Sequence, residues 1–330
     1  RAIAVTVLEP SADRTEPPCP HIARGCGGCG WQHVDLSAQR RLKIDIVTDA
    51  LRRIGKVEEP HVKHGPHLPA DGFRTTIRVA RGERGTGFRH GRSHEIVDVD
   101  SCVVAHPLLV DLLHQVDLTH ASEATLRCGA RTGDRLVLGD GPVRAPDGVR
   151  VGPKAWLTEV VAGTTFRIGA RSFFQARPDG ADALVDLVRR ATEDAPDGHV
   201  VDAYGGVGLF AATIGAGRKT TLVEWSASSV FDAKHNAPDA TIVKSDVARW
   251  KPSKATVIVA DPPRTGLGKH AARTLAATNA GHLALVSCDP ASLGRDAKLL
   301  AEHGFRHDGT TLVDLFPHTP HVECVTRFIR

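Results

Sequence analysis

Short apolar runs alternate with helical stretches through the second half of the sequence, and this alternation restricts the fold more than any other feature. The apolar runs from His199 are HVVDAY, TTLVEW, TIVKSD, ATVIVADPP and HLALVSC, and helical patterning covers 207–215, 226–235, 269–279 and 291–303. Such a succession predicts a mostly parallel sheet with helices on both faces. The last two runs, GTTLVDLF and HVECVTRFI, lie too close together for a parallel crossover, so we expect them to pair antiparallel. The sequence therefore predicts an α/β fold with a seven-stranded sheet.

The sequence before residue 170 is rich in Gly, Arg and His and has short alternating runs. Residues 75–80 and 95–99 alternate apolar and polar side chains, which predicts small β-strands joined by turns. The stretch DAPDG at 194–198 breaks the chain before the α/β half begins. We therefore expect a smaller β-rich domain ahead of the larger sheet.

Segment 37–54 is the clearest helix in this first half. Its apolar stripe at helical spacing consists of Leu42, Ile46, Ala50 and Ile54. Ser37 precedes the stripe and is the expected N-cap. The segment predicts an amphipathic helix that buries this stripe.

Composition excludes several classes of protein. The 330 residues allow two domains, and 41% hydrophobic with 24% charged residues is typical of a globular chain rather than a disordered one. No run of eighteen apolar residues and no signal-peptide pattern is present, so we expect a cytoplasmic protein with no membrane partner. We expect a monomer. The chain has no Met and begins at Arg1, so we expect it to be part of a longer gene product.

A glycine-rich turn follows the first strand of the α/β half. The strand ends at Asp202 and continues into YGGVGLFA at 204–211, where glycines such as Gly206 let the backbone approach a ligand closely. Glu224 stands eighteen residues after Gly206, at the end of the next strand, where its carboxylate can accept hydrogen bonds from ribose hydroxyls. The pattern predicts a nucleoside cofactor.

The same turn also matches the dinucleotide fingerprint at 206–211, so a nicotinamide oxidoreductase is an alternative. Three features favour S-adenosylmethionine (SAM) instead. Asp202 ends the strand itself, no second mononucleotide-binding half follows, and a later strand ends in DPPR at 261–264. The two prolines give a rigid turn that projects a carboxylate and a guanidinium into the crevice.

A cysteine ends the fifth strand of this half. Cys288 in VSCDP precedes a predicted helix, so we expect its sulfur at a helix N-terminus, where backbone N–H groups favour the nucleophilic thiolate. Acidic residues end the other strands: Asp202, Glu224 and Asp261. Ligands of an open α/β sheet bind beyond the carboxyl ends of its strands, so these residues predict one site.

Glu323 joins the site by a topological argument. If the last strand is antiparallel, its start lies at the same edge as the ends of the others, so Glu323 faces the crevice as a general base. Cys324 then points to the opposite face and belongs to the core.

Three cysteines near the N-terminus have a spacing typical of a metal site. Cys19, Cys26 and Cys29 form C-x6-C-x2-C in a glycine-rich loop. Disulfides are not expected in a cytosolic protein, and three clustered thiols require a fourth ligand, for which Cys102 and Cys128 are candidates. An all-thiolate site suits zinc or an iron–sulfur cluster, and the spacing does not choose between them.

Six ordered motifs together resemble the RNA uracil-C5 methyltransferases, which make 5-methyluridine in tRNA and 23S rRNA. They are CPHIARGCGGCGWQH (19–33), SFFQARP (172–178), DAYGGVGLFA (202–211), DPPRTGL (261–267), VSCDPASLGRD (286–296) and DLFPHTPHVE (314–323). The resemblance runs from about Ala12 to the C-terminus and implies a Rossmann-like class I methyltransferase fold. It implies three parts: a remnant of a TRAM-like β-barrel at 1–18, an iron–sulfur and central β-rich RNA-binding domain at 19–170, and the methyltransferase domain at 171–330.

The resemblance also implies residue roles. A [4Fe-4S] cluster would be held by Cys19, Cys26, Cys29 and Cys102. The SAM pocket, beside Gly206 of the glycine turn, would be lined by Gln175, Tyr204, Glu224, Asp246 and Asp261. Cys288 matches the family nucleophile and Glu323 its proton-abstracting base. Gly205 stands where relatives often have Cys, and we expect this change to leave the turn intact.

The implied chemistry explains these residue types. Uracil C5 is too weak a nucleophile to take a methyl group directly, so the Cys288 thiolate first adds to C6, and Glu323 later removes the C5 proton. Asp261 either hydrogen-bonds the uracil edge or orients the cofactor. The expected activity is SAM-dependent methylation of uridine C5 in structured RNA, 23S rRNA rather than tRNA, on a flipped-out or loop base. The alternative is a metal-stabilised RNA-binding protein with a vestigial catalytic half.

A basic, glycine-rich stretch is the candidate RNA contact. Its members are Arg74, Arg78, Arg81, Arg84, Arg89, His90, Arg92 and His94. Such residues can bind phosphates, but solvated arginines on a small sheet are an equally good interpretation.

Overall fold

The computed structural model of the chain describes residues 6–83, 85–91 and 93–330. The helices are α1 (Leu36–Arg53), α2 (Pro107–Gln115), α3 (Pro178–Ala191), α4 (Leu209–Thr213), α5 (Ala227–Asn236), α6 (Gly268–Ala276) and α7 (Pro290–Glu302), with a 3-10 turn at Val247–Arg249. None of these helices is long and apolar enough to cross a membrane.

The strands of the first half are short. They are β1 (Val62–His64), β2 (Thr76–Arg81), β3 (Thr86–Arg89), β4 (Ile96–Asp98), β5 (Glu123–Cys128), β6 (Arg135–Gly139), β7 (Arg150–Val151), β8 (Trp156–Val161) and β9 (Thr164–Gly169). The strands of the second half are β10 (Val200–Ala203), β11 (Thr220–Glu224), β12 (Thr241–Lys244), β13 (Val257–Ala260), β14 (His282–Ser287), β15 (Arg306–Leu312) and β16 (Cys324–Ile329).

The larger sheet confirms the predicted α/β fold. In the described part of the chain its strand order is β1-β15-β16-β14-β13-β10-β11-β12. Strands β10 to β14 pair in parallel, whereas β16 runs antiparallel to both β14 and β15. Every residue of β10 and β13 is buried, as expected for parallel strands that are covered on both faces. The antiparallel pairing of the last two runs is therefore confirmed.

The sheet has eight strands among the described residues rather than the predicted seven. The extra strand is β1, which pairs in parallel with β15 at the edge, His64 beside Leu312. Helix α1 packs against α7, and this contact places β1 at the edge of the sheet. A side chain at Gly294 of α7 would lie 2.7 Å from the Ala50 carbonyl oxygen, so this glycine allows the close approach.

Helix α1 was predicted correctly as a helix, but its cap and its buried face differ from the prediction. Asp35 is the N-cap, and its Oδ1 accepts hydrogen bonds from the backbone N–H groups of Ser37 and Ala38. Three members of the predicted stripe, Leu42, Ile46 and Ile54, are 36%, 38% and 38% exposed, and only Ala50 is buried. The buried face is formed by Ala38, Gln39, Lys43, Val47, Ala50 and Leu51. The polar members of this face, Gln39 and Lys43, contact residues 313–323.

The β-rich part contains the expected short strands. Within the described residues, a second sheet has the order β4-β3-β2-β5-β6-β7, and β8 and β9 form a separate antiparallel hairpin. Helix α2 buries Leu109, Leu112 and Leu113 against the second sheet.

The N-terminal region expected to be a barrel remnant is only partly described. Residues 1–5 lie outside the described residues, and residues 6–18 contain no strand, apart from a bridge between Arg14 and Val34.

Candidate active site

The predicted site residues lie where the larger sheet presents the carboxyl ends of its parallel strands. Asp202 and Tyr204 are at the end of β10, Glu224 at the end of β11, Asp261 directly after β13 and Cys288 directly after β14. These strands are neighbours in the sheet. The structure therefore brings the predicted strand-end residues to one edge.

The turn after β10 requires left-handed backbone. Tyr204 and Gly206 have φ of 60° and 54°. The Gly206 N–H donates a 3.0 Å hydrogen bond to Glu224 Oε2, and the Ser226 N–H donates one of 2.7 Å to Oε1. These bonds hold the Glu224 carboxylate at the edge of the sheet. A side chain at Gly205 would lie 2.4 Å from Leu222 Cγ, so the glycine there also serves packing.

The side chain of Asp202 supports the fold, although its position at a strand end predicted that it lines the site. Its carboxylate is fully buried, and Oδ2 accepts a 2.8 Å hydrogen bond from the Ala211 N–H of α4. Burial raises the pKa of Asp202 to about 8. The side chain joins α4 to β10 and supports the turn.

A cavity of about 370 Å³ lies beside Glu224. Three of the predicted SAM residues line it: Tyr204, Glu224 and Asp246. Asp246 caps the 3-10 turn, where its Oδ1 accepts a hydrogen bond of 2.8 Å from the Ala248 N–H. Trp225 also lines the cavity and is 72% exposed, although sequence reasoning did not single it out. Its position in the sequence, directly after Glu224, is the signal that identifies it as a candidate.

Gln175 and Asp261 contact each other and are not among the residues that line this cavity. Gln175 Nε2 donates a 3.3 Å hydrogen bond to Asp261 Oδ2. Burial raises the pKa of Asp261 above its usual range. The amide of Gln175 therefore orients a carboxyl group that follows β13.

Cys288 and Glu323 meet because β16 pairs antiparallel with β14. The register places Ser287 opposite Cys324, so Glu323 and Cys288 are each one residue from this pair. Burial raises the pKa of Glu323 well above its usual range, and Asp261 raises it further, whereas Arg264 lowers it. Cys324 is fully buried, as predicted for a core residue.

The structure does not favour the Cys288 thiolate in the way that the sequence predicted. Burial raises the pKa of Cys288 to about 11, and Glu323 and Asp261 add to this effect. Helix α7 begins at Pro290 with Asp289 as its cap, and Asp289 Oδ1 accepts from the Ser292 N–H at 2.8 Å. Cys288 therefore lies outside the cap, and its burial beside carboxyl groups outweighs the helix.

The N-terminal cysteines share a second cavity. Cys19, Cys26, Cys29 and Cys102 all line a space of about 460 Å³. Cys128, the other candidate, is buried in the core of the second sheet instead. In the described part of the chain, no group of three or more His, Cys, Asp or Glu side chains is arranged to hold a metal ion. The four thiols thus share one cavity, with no preformed metal site among the described residues.

Much of the basic stretch is occupied by contacts within the chain. Arg78 and Arg89 both form ion pairs with Glu123. Arg81 Nη1 donates a 2.8 Å hydrogen bond to the Thr119 carbonyl oxygen. Arg84 and Arg92 lie outside the described residues.

Arg74 differs from the other basic residues because its charge acts on the segment that carries Glu323. It lines the cysteine cavity, and its charge also reaches His321, two residues before Glu323. Burial lowers the pKa of His321, and the charges of Arg264, Lys43 and Arg74 lower it further. Three positively charged side chains therefore lie near His321.

Comparison with known proteins identifies the family. A profile of the family described as tRNA (Uracil-5-)-methyltransferase matches residues 248–330. A protein of Streptomyces avermitilis, named an uncharacterized RNA methyltransferase, is 34% identical and covers 98% of this chain and 86% of its own length. A similarly named protein of Gloeobacter violaceus is 31% identical, with 98% of this chain and 85% of that protein covered. The chain belongs to the RNA uracil-C5 methyltransferase family.

A solved structure supports the fold of this RNA uracil-C5 methyltransferase. The Pyrococcus abyssi tRNA (uracil-54, C5)-methyltransferase, in complex with S-adenosyl-L-homocysteine, is similar with a TM-score of 0.79 and 23% identity. The match covers 98% of this chain and 88% of that one. The resemblance drawn from the six motifs and the predicted class I methyltransferase fold are both confirmed.

The raised pKa of Cys288 predicts how its thiol reacts with an alkylating agent. The thiolate is the reactive form, so alkylation of Cys288 by iodoacetamide should accelerate about tenfold per pH unit between pH 7 and 9. Asp261→Asn removes a neighbouring negative charge and should accelerate the reaction at each pH. Site-resolved mass spectrometry of the ligand-free protein measures both rates. A rate that levels off below pH 8 would show that the thiolate already predominates.

Proposed function

We propose that this enzyme transfers a methyl group from SAM to C5 of a uridine in structured RNA, with Cys288 as nucleophile and Glu323 as base. The observation that carries the proposal is that these two residues lie close together at the sheet edge where Glu224 also stands. A protein that only binds RNA has no need of a buried carboxyl group next to a half-buried thiol. We therefore favour an active enzyme over a vestigial catalytic half.

The residues around the cavity suit SAM. When bound, SAM supplies an electrophilic methyl group on a positively charged sulfur. The Glu224 carboxylate, held by two backbone N–H groups, accepts hydrogen bonds from ribose hydroxyls. The exposed indole of Trp225 offers an apolar face to the adenine ring. Gly206 keeps the turn close to the ligand, and Tyr204 and Asp246 complete the wall.

Cys288 begins the reaction on the uracil ring. Its thiol first loses a proton, and the sulfur then forms a bond to C6. The electron pair of the C5=C6 bond moves toward C5 and the O4 carbonyl, so C5 becomes able to attack the methyl group. Asp261, held by Gln175, lies close enough to Cys288 to influence its pKa and is placed to contact the uracil edge or the cofactor.

Glu323 completes the reaction by removing the proton from C5 after methylation. The electrons of the broken C–H bond restore the C5=C6 double bond and expel the Cys288 sulfur as a thiolate. A carboxylate whose pKa is raised by burial is a stronger base than an exposed one once it is ionised. Buried Glu323 is therefore suited to this step.

A fluorinated substrate tests this mechanism. Transcripts of 23S rRNA and tRNA made with 5-fluorouridine should form a covalent complex with the SAM-saturated protein, because fluorine replaces the proton that Glu323 removes. Cys288→Ala should abolish the complex without changing SAM affinity. Cys324→Ala is the matched control, since that thiol is buried in the core, and it should still form the complex. Denaturing gels and mass spectrometry measure the adduct. A folded, SAM-saturated protein that forms none would refute the mechanism.

We further propose that Cys19, Cys26, Cys29 and Cys102 hold a [4Fe-4S] cluster. All four thiols line one cavity, which fits the donor set that such a cluster needs. In such a cluster each thiolate binds a separate iron atom, so the four ligands surround a volume. Zinc would instead bring the same four thiolates around one ion.

Exchanging cysteines tests the cluster. Protein purified without oxygen should contain iron and sulfide and absorb broadly near ~400 nm. Cys102→Ser should lose iron, whereas Cys128→Ser should keep it because Cys128 lies in the core of the second sheet. Elemental analysis measures iron and zinc. Zinc in place of iron, or equal iron loss in both variants, would contradict the proposal.

We propose that RNA reaches Cys288 past the positively charged side chains of Arg74 and Arg264. Phosphates of the backbone next to a flipped uridine need positive partners near the pocket. Both arginines lie close enough to His321, two residues before Glu323, to lower its pKa. Arg78 and Arg89 contribute less because both pair with Glu123, whose one carboxylate offsets part of their charge.

A comparison of strains with and without the gene tests which RNA is the target. Our sequence-based prediction favours 23S rRNA, although the similar Pyrococcus protein is named a tRNA methyltransferase. In a strain that lacks the gene, 5-methyluridine should disappear from 23S rRNA and remain in tRNA, and expression of the gene should restore it. Mass-spectrometric mapping of both RNAs measures the change. Loss from tRNA alone would reassign the substrate.

A further inference from the structure

The segment that carries Glu323 is held by the other half of the chain. Residues 313–323 connect β15 to β16 and end at Glu323. Within this segment His318 has a φ of 64°, a conformation that a non-glycine residue adopts only when its surroundings hold it there. Helix α1 supplies two fully buried polar side chains that contact the segment, Gln39 and Lys43.

The side chain of Gln39 links helix α1 to two other backbone segments. Its Oε1 accepts a 2.7 Å hydrogen bond from the His318 N–H. Its Nε2 donates to the carbonyl oxygens of Trp31 at 3.0 Å and Val34 at 2.8 Å. The Trp31 N–H in turn donates a 2.8 Å bond to the His318 carbonyl oxygen. The amide therefore uses both of its donors and its oxygen to connect the loop after Cys29 to the Glu323 segment.

Lys43 fixes the start of the same segment. Its Nζ donates to Asp314 Oδ1 at 2.7 Å and to the Phe316 carbonyl oxygen at 3.0 Å. Burial lowers the pKa of Lys43, and Asp314 opposes this effect. A buried ammonium with both partners in one segment strongly restricts where that segment can lie.

We propose that Gln39 is a positioning residue for Glu323, which sets the rate of C5 proton removal but not the rate of thiolate addition. The inference rests on the mechanism proposed above. Cys288 stands between β14 and α7, whereas the hydrogen bonds of Gln39 go to Trp31, Val34 and His318, so the first steps do not need the amide. Glu323 stands at the end of the segment whose middle Gln39 holds at His318.

The experiment separates the two halves of the reaction. Gln39→Met keeps the length of the side chain but removes its hydrogen bonds. Tritium release from 23S rRNA and tRNA transcripts labelled with [5-³H]uridine should fall by roughly 10- to 100-fold, the cost of a misplaced catalytic group. The covalent complex with 5-fluorouridine transcripts should form at the wild-type rate. A methylated protein–RNA adduct should therefore accumulate with ordinary RNA, visible on denaturing gels.

Val47→Ala is the matched control for a general loss of stability. Val47 is fully buried on the same helix and belongs to the core of the larger sheet, so its loss weakens α1 without breaking the link to His318. This variant should change tritium release and adduct formation together. If Gln39→Met also changes both in parallel, or changes neither, Gln39 is not a positioning residue. If the wild-type protein forms no adduct with the fluorinated transcripts, the proposed function fails, and this inference fails with it.

Discussion

The reversal of one strand is the constraint on which the site depends. Because β16 is antiparallel to β14, its first residues lie at the carboxyl edge of the parallel strands. Glu323, directly before β16, therefore lies near Cys288. A parallel final strand would begin at the opposite edge of the sheet, far from the thiol. Cys288 and Glu323 come from separate motifs, and this pairing brings them together.

Burial controls the electrostatics of the site. Asp202, Asp261, Glu323 and Cys288 all have pKa values raised by burial, because a negative charge is poorly solvated there. Arg264 partly offsets this effect on the pKa values of Cys288 and Glu323. The ionisation of these groups is therefore governed by burial and by their charged neighbours.

The two halves of the chain are less separate than their compositions suggest. Helix α1 and strand β1 come from the first half, yet they pack on the larger sheet, and β1 extends it. The same helix holds the Glu323 segment through Gln39 and Lys43. The loop after Cys29 is connected to the Glu323 segment through this helix, so the N-terminal half helps to position that segment.

Local patterns in the sequence were enough to predict the alternating strands and helices, the residues at strand ends, the glycine turn and the grouped cysteines. Features that depend on distant partners emerge only in the folded chain. Local periodicity placed Leu42 and Ile46 in the core, whereas Gln39 and Lys43 are buried because their partners stand nearly 280 residues away, at His318 and Asp314. The pKa of Cys288 likewise reflects burial and neighbours that the order of residues along the chain does not reveal.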